Sequence, residues 1–196
     1  MILSQVNISR RDAVQAGLRD GYAWHEGIWQ AFPGHDGLHR QFLFRVDSRG
    51  AGFQVYVLSP VEPTVPRWGR WRSKAVKPSF LKHKSYRFQM KANPTLRQSS
   101  SRKRVGLCDE GKLRGWMVRK AKQHGFALEE EFLIVGAPTQ EVFAKKQGGR
   151  RGKHIAVDFQ GVLAVEDRAA FGNAFAHGIG SAKAFGFGLL MLQPLA

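Results

Sequence analysis

Tyr22 and His25 stand three residues apart in Gly21-Tyr-Ala-Trp-His-Glu-Gly-Ile-Trp29, a stretch whose composition predicts a helix. Three residues is close to one helical turn, so both side chains share a face. Histidine exchanges protons near neutrality, and a neighbouring phenol can orient or activate a hydroxyl. The pair could carry general acid–base chemistry, although taken alone such a pair more often packs in a core or sits on a surface. A second constellation closes the chain. His177-Gly-Ile-Gly-Ser-Ala-Lys-Ala-Phe-Gly-Phe-Gly188 holds two Gly-apolar-Gly triplets, with Gly178, Gly180, Gly186 and Gly188 at their corners. Glycines permit positive φ and close backbone approach, so N–H groups there can converge on a phosphate. The pattern is neither Walker A nor a Rossmann fingerprint, and its spacing equally suits a loop packed tightly between a helix and a sheet. His35 and His39 form an i, i+4 pair with no third ligand near them in sequence, and Cys108 is the single cysteine. No metal and no cofactor is expected.

Charge points to a polyanion. The 196 residues carry 31 Lys and Arg against 15 Asp and Glu, a formal charge of +16. Residues 67–104 hold 13 basic and no acidic side chains, whereas residues 1–66 hold 6 of each. Thirty-eight residues without a carboxylate would repel one another unless an anion were a partner. Within this excess, Arg102, Lys103 and Arg104 form one cluster. Lys145, Lys146, Arg150, Arg151 and Lys153 form another around a Gln-Gly-Gly turn between predicted strands. In Arg67-Trp-Gly-Arg-Trp-Arg72, Trp68 and Trp71 alternate with arginines, an arrangement that suits either base stacking with phosphate contact or aromatic packing on a sheet. No apolar run reaches the ~18–20 residues of a membrane helix. The N-terminus lacks a basic region ahead of its apolar residues, so it reads as a strand and not a signal peptide. A soluble, cytoplasmic protein is expected.

The elements that must position these residues alternate strand and helix. Ile2–Ile8 reads as a strand, Arg11–Phe32 as mostly helix, and Phe42–Asp47 with Phe53–Leu58 as a hairpin. A proline-marked irregular stretch runs from Pro60 to Pro78, and Tyr86–Lys91 reads as the closing strand of a first β-α-β-β-β unit. Residues 95–104 are polar and basic and are read as a linker, dividing 1–94 from 105–196. Beyond it, Glu110–His124 is helical, while Phe126–Val135 and Thr139–Lys145 are strands. His154–Val165 is a long strand or a bulged pair, with Gly161 as the bulge, Asp167 caps a helix over Arg168–His177, and Leu189–Leu192 closes the chain. The fold class is α+β.

Three blocks resemble a known family. They are Tyr22-x-x-His25-x-Gly27-x-Trp29-x-x-Phe32-Pro33, then Tyr86-x-Phe88-x-x-x-Ala92-Asn93-Pro94 with Lys103-Arg104-Val105, and then Gly178-Ile-Gly-Ser-Ala-Lys183-Ala-Phe-Gly-Phe-Gly-Leu-Leu190 with Pro194. In this order, and spread over essentially the whole chain, they resemble the CRISPR repeat-processing endoribonucleases of the Cas-six superfamily, type I-E branch. The resemblance implies tandem ferredoxin-like (RRM-like) domains with a C-terminal glycine-rich loop. It also implies metal-independent cleavage of a CRISPR repeat RNA hairpin, leaving a 2′,3′-cyclic phosphate and a 5′-OH. The product crRNA hairpin would stay bound within the Cascade complex, so target DNA would be met only through the complex.

Such cleavage uses the substrate's own 2′-OH as nucleophile, which calls for proton transfer and cations around the phosphate. The resemblance assigns catalysis to His25 with Tyr22 assisting. RNA contacts would come from Arg102, Lys103, Arg104, Lys145, Lys146, Arg150, Arg151, Lys153 and Lys183, together with the glycine loop. Some relatives carry a lysine and a serine later on the same helix. Here that stretch is Gln30-Ala-Phe-Pro33, which leaves Lys183 or the basic segment to supply the accessory cation. The alternative is a noncatalytic RNA-hairpin-binding subunit. A duplex-DNA-binding protein is disfavoured by the lack of a helix-turn-helix or basic recognition helix.

Overall fold

The computed structural model describes residues 1–34, 41–98, 103–144 and 151–195. The first unit opens with β1 (Ile2–Ser9), α1 (Arg10–Gln15) and α2 (Gly21–Trp29). The single helix expected over 11–32 is therefore two helices. Gly17 at φ +73 ends the first, and the Asp20 carboxylate caps the second by accepting from the Tyr22 and Ala23 N–H groups. β2 (Leu43–Arg49) and β3 (Gly52–Ser59) form the expected hairpin, which turns at Gly50 with φ +52. β4 (Arg70–Ala75) then pairs antiparallel with β1. The sheet order β2-β3-β1-β4 is that of a ferredoxin-like unit in which the second helix has become the irregular chain at 60–69.

That order corrects the sequence reading. The fourth strand of the first unit is β4, inside the stretch taken as irregular. β5 (Ser85–Ala92) instead opens the second sheet, between β11 (Arg151–Val165) and β12 (Leu190–Pro194). β5 alternates buried Tyr86, Phe88, Met90 and Ala92, a pattern that fits the centre of either sheet. The second unit's helices cover those four side chains, which join one core with Trp116, Phe159 and Phe171. A boundary at 95–104 would cut β5 from its own sheet, whereas no strand occupies 76–84 between β4 and β5. Part of the expected linker is itself a hairpin, β6 (Thr95–Arg97) against β7 (Arg104–Gly106).

The second unit continues through α3 (Glu110–Gln123), β8 (Phe126–Leu128), β9 (Ile134–Val135) and β10 (Thr139–Ala144) to β11. After β11 come α4 (Arg168–His177), capped by Asp167 as expected, and β12. A 3-10 turn, Glu130–Phe132, interrupts the strand expected over 126–135. Gly161 is not a bulge, because its register with Phe88 is continuous. It is needed because a Cβ there would stand 3.0 Å from the Phe132 carbonyl oxygen, where that turn crosses the strand.

Side chains from the β2–β3 part of the first sheet's open face reach the second unit. Arg45 on β2 is buried, holds Asp47 at 2.7 Å and reaches Asp158 on β11 at 2.8 Å. Leu43, Leu58, Phe175 and Leu189 form a small apolar seal between the units. Among the described residues no helix is long and apolar enough to cross a membrane.

Candidate active site and nucleic-acid interface

Two segments from opposite ends of the chain build the site. On α2, Trp24, Gly27 and Ile28 face the first core. Gly27 has to be small there, since a Cβ would stand 2.4 Å from Leu18 Cδ2. That orientation leaves Tyr22 and His25 half-buried on the helix flank. The His25 imidazole is walled by Trp29 and Phe42, each ring centroid 5.6 Å away, and part of its surface remains open to a ligand.

The glycine loop packs against the start of this helix. Gly178, Gly180, Gly186 and Gly188 all have positive φ, between +76° and +86°. The Ile179 N–H donates to the Gly188 carbonyl at 2.9 Å, and the Gly188 N–H donates to the Lys91 carbonyl at 2.8 Å. The two triplets are thereby stitched to each other and to β5. A Cβ on Gly178 would stand 2.8 Å from Leu43, and one on Gly186 would stand 3.1 Å from the Phe44 ring. Gly178, Gly186 and Gly188 are buried and Gly180 is half-buried beside Trp116. Of the two readings left open by the spacing, these contacts favour close packing over an open phosphate cradle at the glycines themselves. The half-exposed crest is residues 180–185, which carries Ser181, Ala182 at φ +59 and the 3-10 turn Lys183–Phe185.

Asn93 ties the crest to the second sheet. Its buried amide donates to His154 Nδ1 at 3.2 Å and to Ser181 Oγ at 3.3 Å, while Ser181 Oγ donates to the Asn93 carbonyl at 3.2 Å. With Nδ1 accepting, the neutral imidazole of His154 carries its proton on Nε2, which is buried without a hydrogen-bond partner. Phe143 stacks on the ring at 4.7 Å and 18°, and Phe185 and Phe187 flank it at 4.7 and 5.7 Å. Burial among these rings pushes the His154 pKa below its usual value, opposed by the Glu141 carboxylate.

Beside this cluster lies a cleft of about 600 Å³ lined by Arg104, Lys153, Gln140, Thr95, His154 and Ser181. Two expected RNA-contacting residues, Arg104 and Lys153, thus converge on one concavity next to the loop crest. Lys103 is exposed on the same hairpin. Lys183 lies on the crest, and its charge adds to burial and Lys120 in holding His124 below its usual pKa. Arg102, Lys145, Lys146 and Arg150 lie outside the described residues, as do His35 and His39, and Arg151 is described only as the backbone partner of Ala144. Trp68 and Trp71 pack into the first core, 5.2 Å apart, which resolves their alternatives in favour of packing. Among the described residues no three His, Cys, Asp or Glu groups cluster to hold a metal.

Sequence reasoning did not single out His154, Phe143 or Phe185. Nothing local marks them, because their role comes from β10, β11 and the loop being brought to one point. Asn93 stands in the sequence as part of the second block. Its place before Pro94, at the end of an alternating strand, was the signal available.

The sequence and fold are matched by relatives. The CRISPR system Cascade subunit CasE of Escherichia coli is 31% identical over 211 residues, covering 100% of this chain and 100% of that one. The CRISPR-associated endoribonuclease Cse3 of Thermus thermophilus is 33% identical over 125 residues, 60% of this chain and 59% of that one. A solved structure of CRISPR endoribonuclease Cse3 bound to 19 nt RNA has a TM-score of 0.85 to this chain at 27% identity, covering 99% of it and 100% of that chain. A family model described as CRISPR associated protein matches residues 1–194, and with that match, the relatives and the tandem ferredoxin-like fold in agreement, the chain belongs to the CRISPR associated protein family.

Proposed function

We propose that this protein is a metal-independent endoribonuclease that cuts CRISPR repeat RNA at the 3′ base of its hairpin and keeps the crRNA hairpin as a subunit of a cytoplasmic Cascade complex. The observation that carries the reading is the position of Tyr22 and His25. They lie on a helix whose first residue touches the glycine-loop crest, and that crest borders a basic cleft. Arg104 and Lys153 would hold backbone phosphates at the stem base, mostly positioning the RNA and not reading its bases. The scissile phosphate then lies over α2. Tyr22 orients the 2′-hydroxyl that attacks phosphorus, and His25 takes the proton that hydroxyl loses and delivers it to the 5′-oxygen leaving group. The P–O5′ bond breaks as the O2′–P bond forms, giving a 2′,3′-cyclic phosphate and a 5′-OH. Developing charge on the phosphate is met by the loop-crest backbone and Lys183.

The deciding experiment incubates the purified protein with its own repeat RNA in EDTA and maps both ends of the products. Cleavage at the hairpin base with a cyclic phosphate supports the reading. Tight hairpin binding without cleavage would make the chain a noncatalytic RNA-holding subunit, and dependence on added metal would overturn the mechanism.

A further inference from the structure

The edge strand β4 carries a row of cations that the hairpin-cleaving site does not use. In the register with β1, Trp71 lies opposite Val6 and Ser73 opposite Ser4, and both turn towards the first core. The Ser73 hydroxyl reaches that of Ser4 at 2.8 Å. Arg70, Arg72 and Lys74 alternate with them onto the open face, opposite Asn7, Gln5 and Leu3, and all three are exposed. Strand geometry spaces them by about 7 Å. Among the described residues no carboxylate pairs with any of the three. The acid nearest that face along the sheet, Asp47 on β2, is already engaged by Arg45. Three like charges in line on one face repel one another unless an anion lies across them.

The row runs into a shallow groove of about 1030 Å³ whose lining includes Arg49, Arg67, Arg70, Asn7 and Gln30, with one carboxylate, Asp12, that accepts from the Ser9 hydroxyl at 2.7 Å. Gln30 is the C-cap of α2, the helix that bears Tyr22 and His25. The groove therefore begins where the candidate catalytic helix ends. β4 is three strand spacings, about 14 Å, from β2, the strand that meets the glycine loop. A hairpin seated on the loop would lie on the β2 side of this sheet, and chain leaving its base past α2 would meet the groove and then the β4 row.

We propose that Arg67, Arg70, Arg72 and Lys74 form a second nucleic-acid track that holds the single-stranded RNA flanking the repeat hairpin. The inference rests on the repeat-RNA reading above and adds a site to it. The ligand is an extended polyanion whose phosphates are matched one by one to cations along a strand. The polar amides of Gln5 and Asn7 beside the row supply hydrogen-bond partners without sequence demand. Charged residues on an edge strand also guard it against pairing with another chain, and that purely protective role makes a different prediction.

The test uses three RNAs with a 2′-deoxy scissile nucleotide to block cleavage: the bare hairpin, the hairpin with a 5′ single-stranded extension, and the hairpin with a 3′ extension. Their affinities are measured against salt for the wild-type protein and for the Arg70→Gln/Arg72→Gln/Lys74→Gln variant. An extension on one side should tighten wild-type binding at low salt several-fold. The variant should lose that gain and keep bare-hairpin affinity within about twofold. Its log–log salt slope for the extended RNA should flatten by about 2, from three lost contacts at about 0.7 each on single strands. A single charge reversal, Arg72→Glu, should act in the same direction with an unchanged melting temperature. A gain that survives in the variant, an equal loss for bare and extended RNA, or no wild-type gain from either extension would overturn the proposal. Failure of the wild type to bind even the bare hairpin would overturn the repeat-RNA reading itself.

Discussion

The carbonyl oxygen of Phe185 lies 3.1 Å from where a Cβ on Gly21 would stand. The first residue of α2 thus rests on the backbone of a loop 164 positions further along the chain. Through Phe185 this contact continues to Phe143 and His154, at 4.2 and 4.7 Å. The distance from His25 to the basic cleft is therefore set by packing between the two units. Gly21→Val should displace α2 from the loop and lower single-turnover cleavage of repeat RNA at least tenfold, with hairpin affinity changed less than the rate. Equal rates for Gly21→Val and the wild type would show that α2 is held elsewhere.

His25→Ala should cut the cleavage rate by at least ~10²-fold, the scale of a lost acid–base group, and leave hairpin affinity within about tenfold. Tyr22→Phe removes a hydroxyl and little packing, so its effect should be milder. Single-turnover kinetics beside filter binding separate rate from affinity, and wild-type turnover by His25→Ala would remove the catalytic assignment.

Hairpin binding should weaken steeply with salt, because each cation placed on a phosphate releases counterions. The double variant Arg104→Gln/Lys153→Gln should flatten the log–log slope between 50 and 200 mM salt by one to two, because both residues line one cleft. A slope unchanged from wild type would place the RNA backbone elsewhere.

Gly186 has φ +86 and lies over the Phe44 ring. Valine there meets both an unfavourable backbone conformation and a crowded aromatic. Gly186→Val should cost more than the ~1 kcal/mol by which glycine usually disfavours regular structure, seen as a lower melting temperature together with weaker RNA binding. A folded variant with melting temperature and affinity unchanged would mean the loop tolerates the added bulk.

His154 is held neutral by burial, so its folded pKa lies below the unfolded value of 6.5. His124 is lowered by burial, with Lys120 and Lys183 adding to it. A histidine with a depressed folded pKa binds fewer protons in the native than in the unfolded chain, so stability rises with pH. The contribution is fully present above about pH 7 and is lost as pH falls below 6.5 towards the folded values. Melting temperature should therefore drop between pH 7 and 5, ahead of most carboxylate protonation. His154→Gln should flatten that drop while still offering Asn93 an acceptor. A melting temperature flat over this range would contradict the buried neutral imidazole.

Local chemistry was enough for much of this protein. The Tyr22–His25 face, the capping of α4 by Asp167 and the α3 core positions Leu113, Trp116, Met117 and Ala121 follow from helical spacing and side-chain type. The β2–β3 hairpin follows from alternation around Gly50. The three sequence blocks carried the family. Sheet membership did not follow, because Tyr86, Phe88, Met90 and Ala92 present the same period-two pattern whichever neighbours they take, and only long-range pairing with β11 and β12 places β5 in the second unit. The strand Arg70–Ala75 was hidden for a related reason: at a sheet edge its outward positions are arginine and lysine, and of its inward positions Trp71, Ser73 and Ala75 only the tryptophan is a large apolar residue. The His154–Asn93–Ser181 cluster joins residues 61 and 88 positions apart, and no local pattern encodes such a meeting. Burial decides it, since an imidazole becomes a neutral, ring-packed post only once β10, β11 and the glycine loop have closed around it.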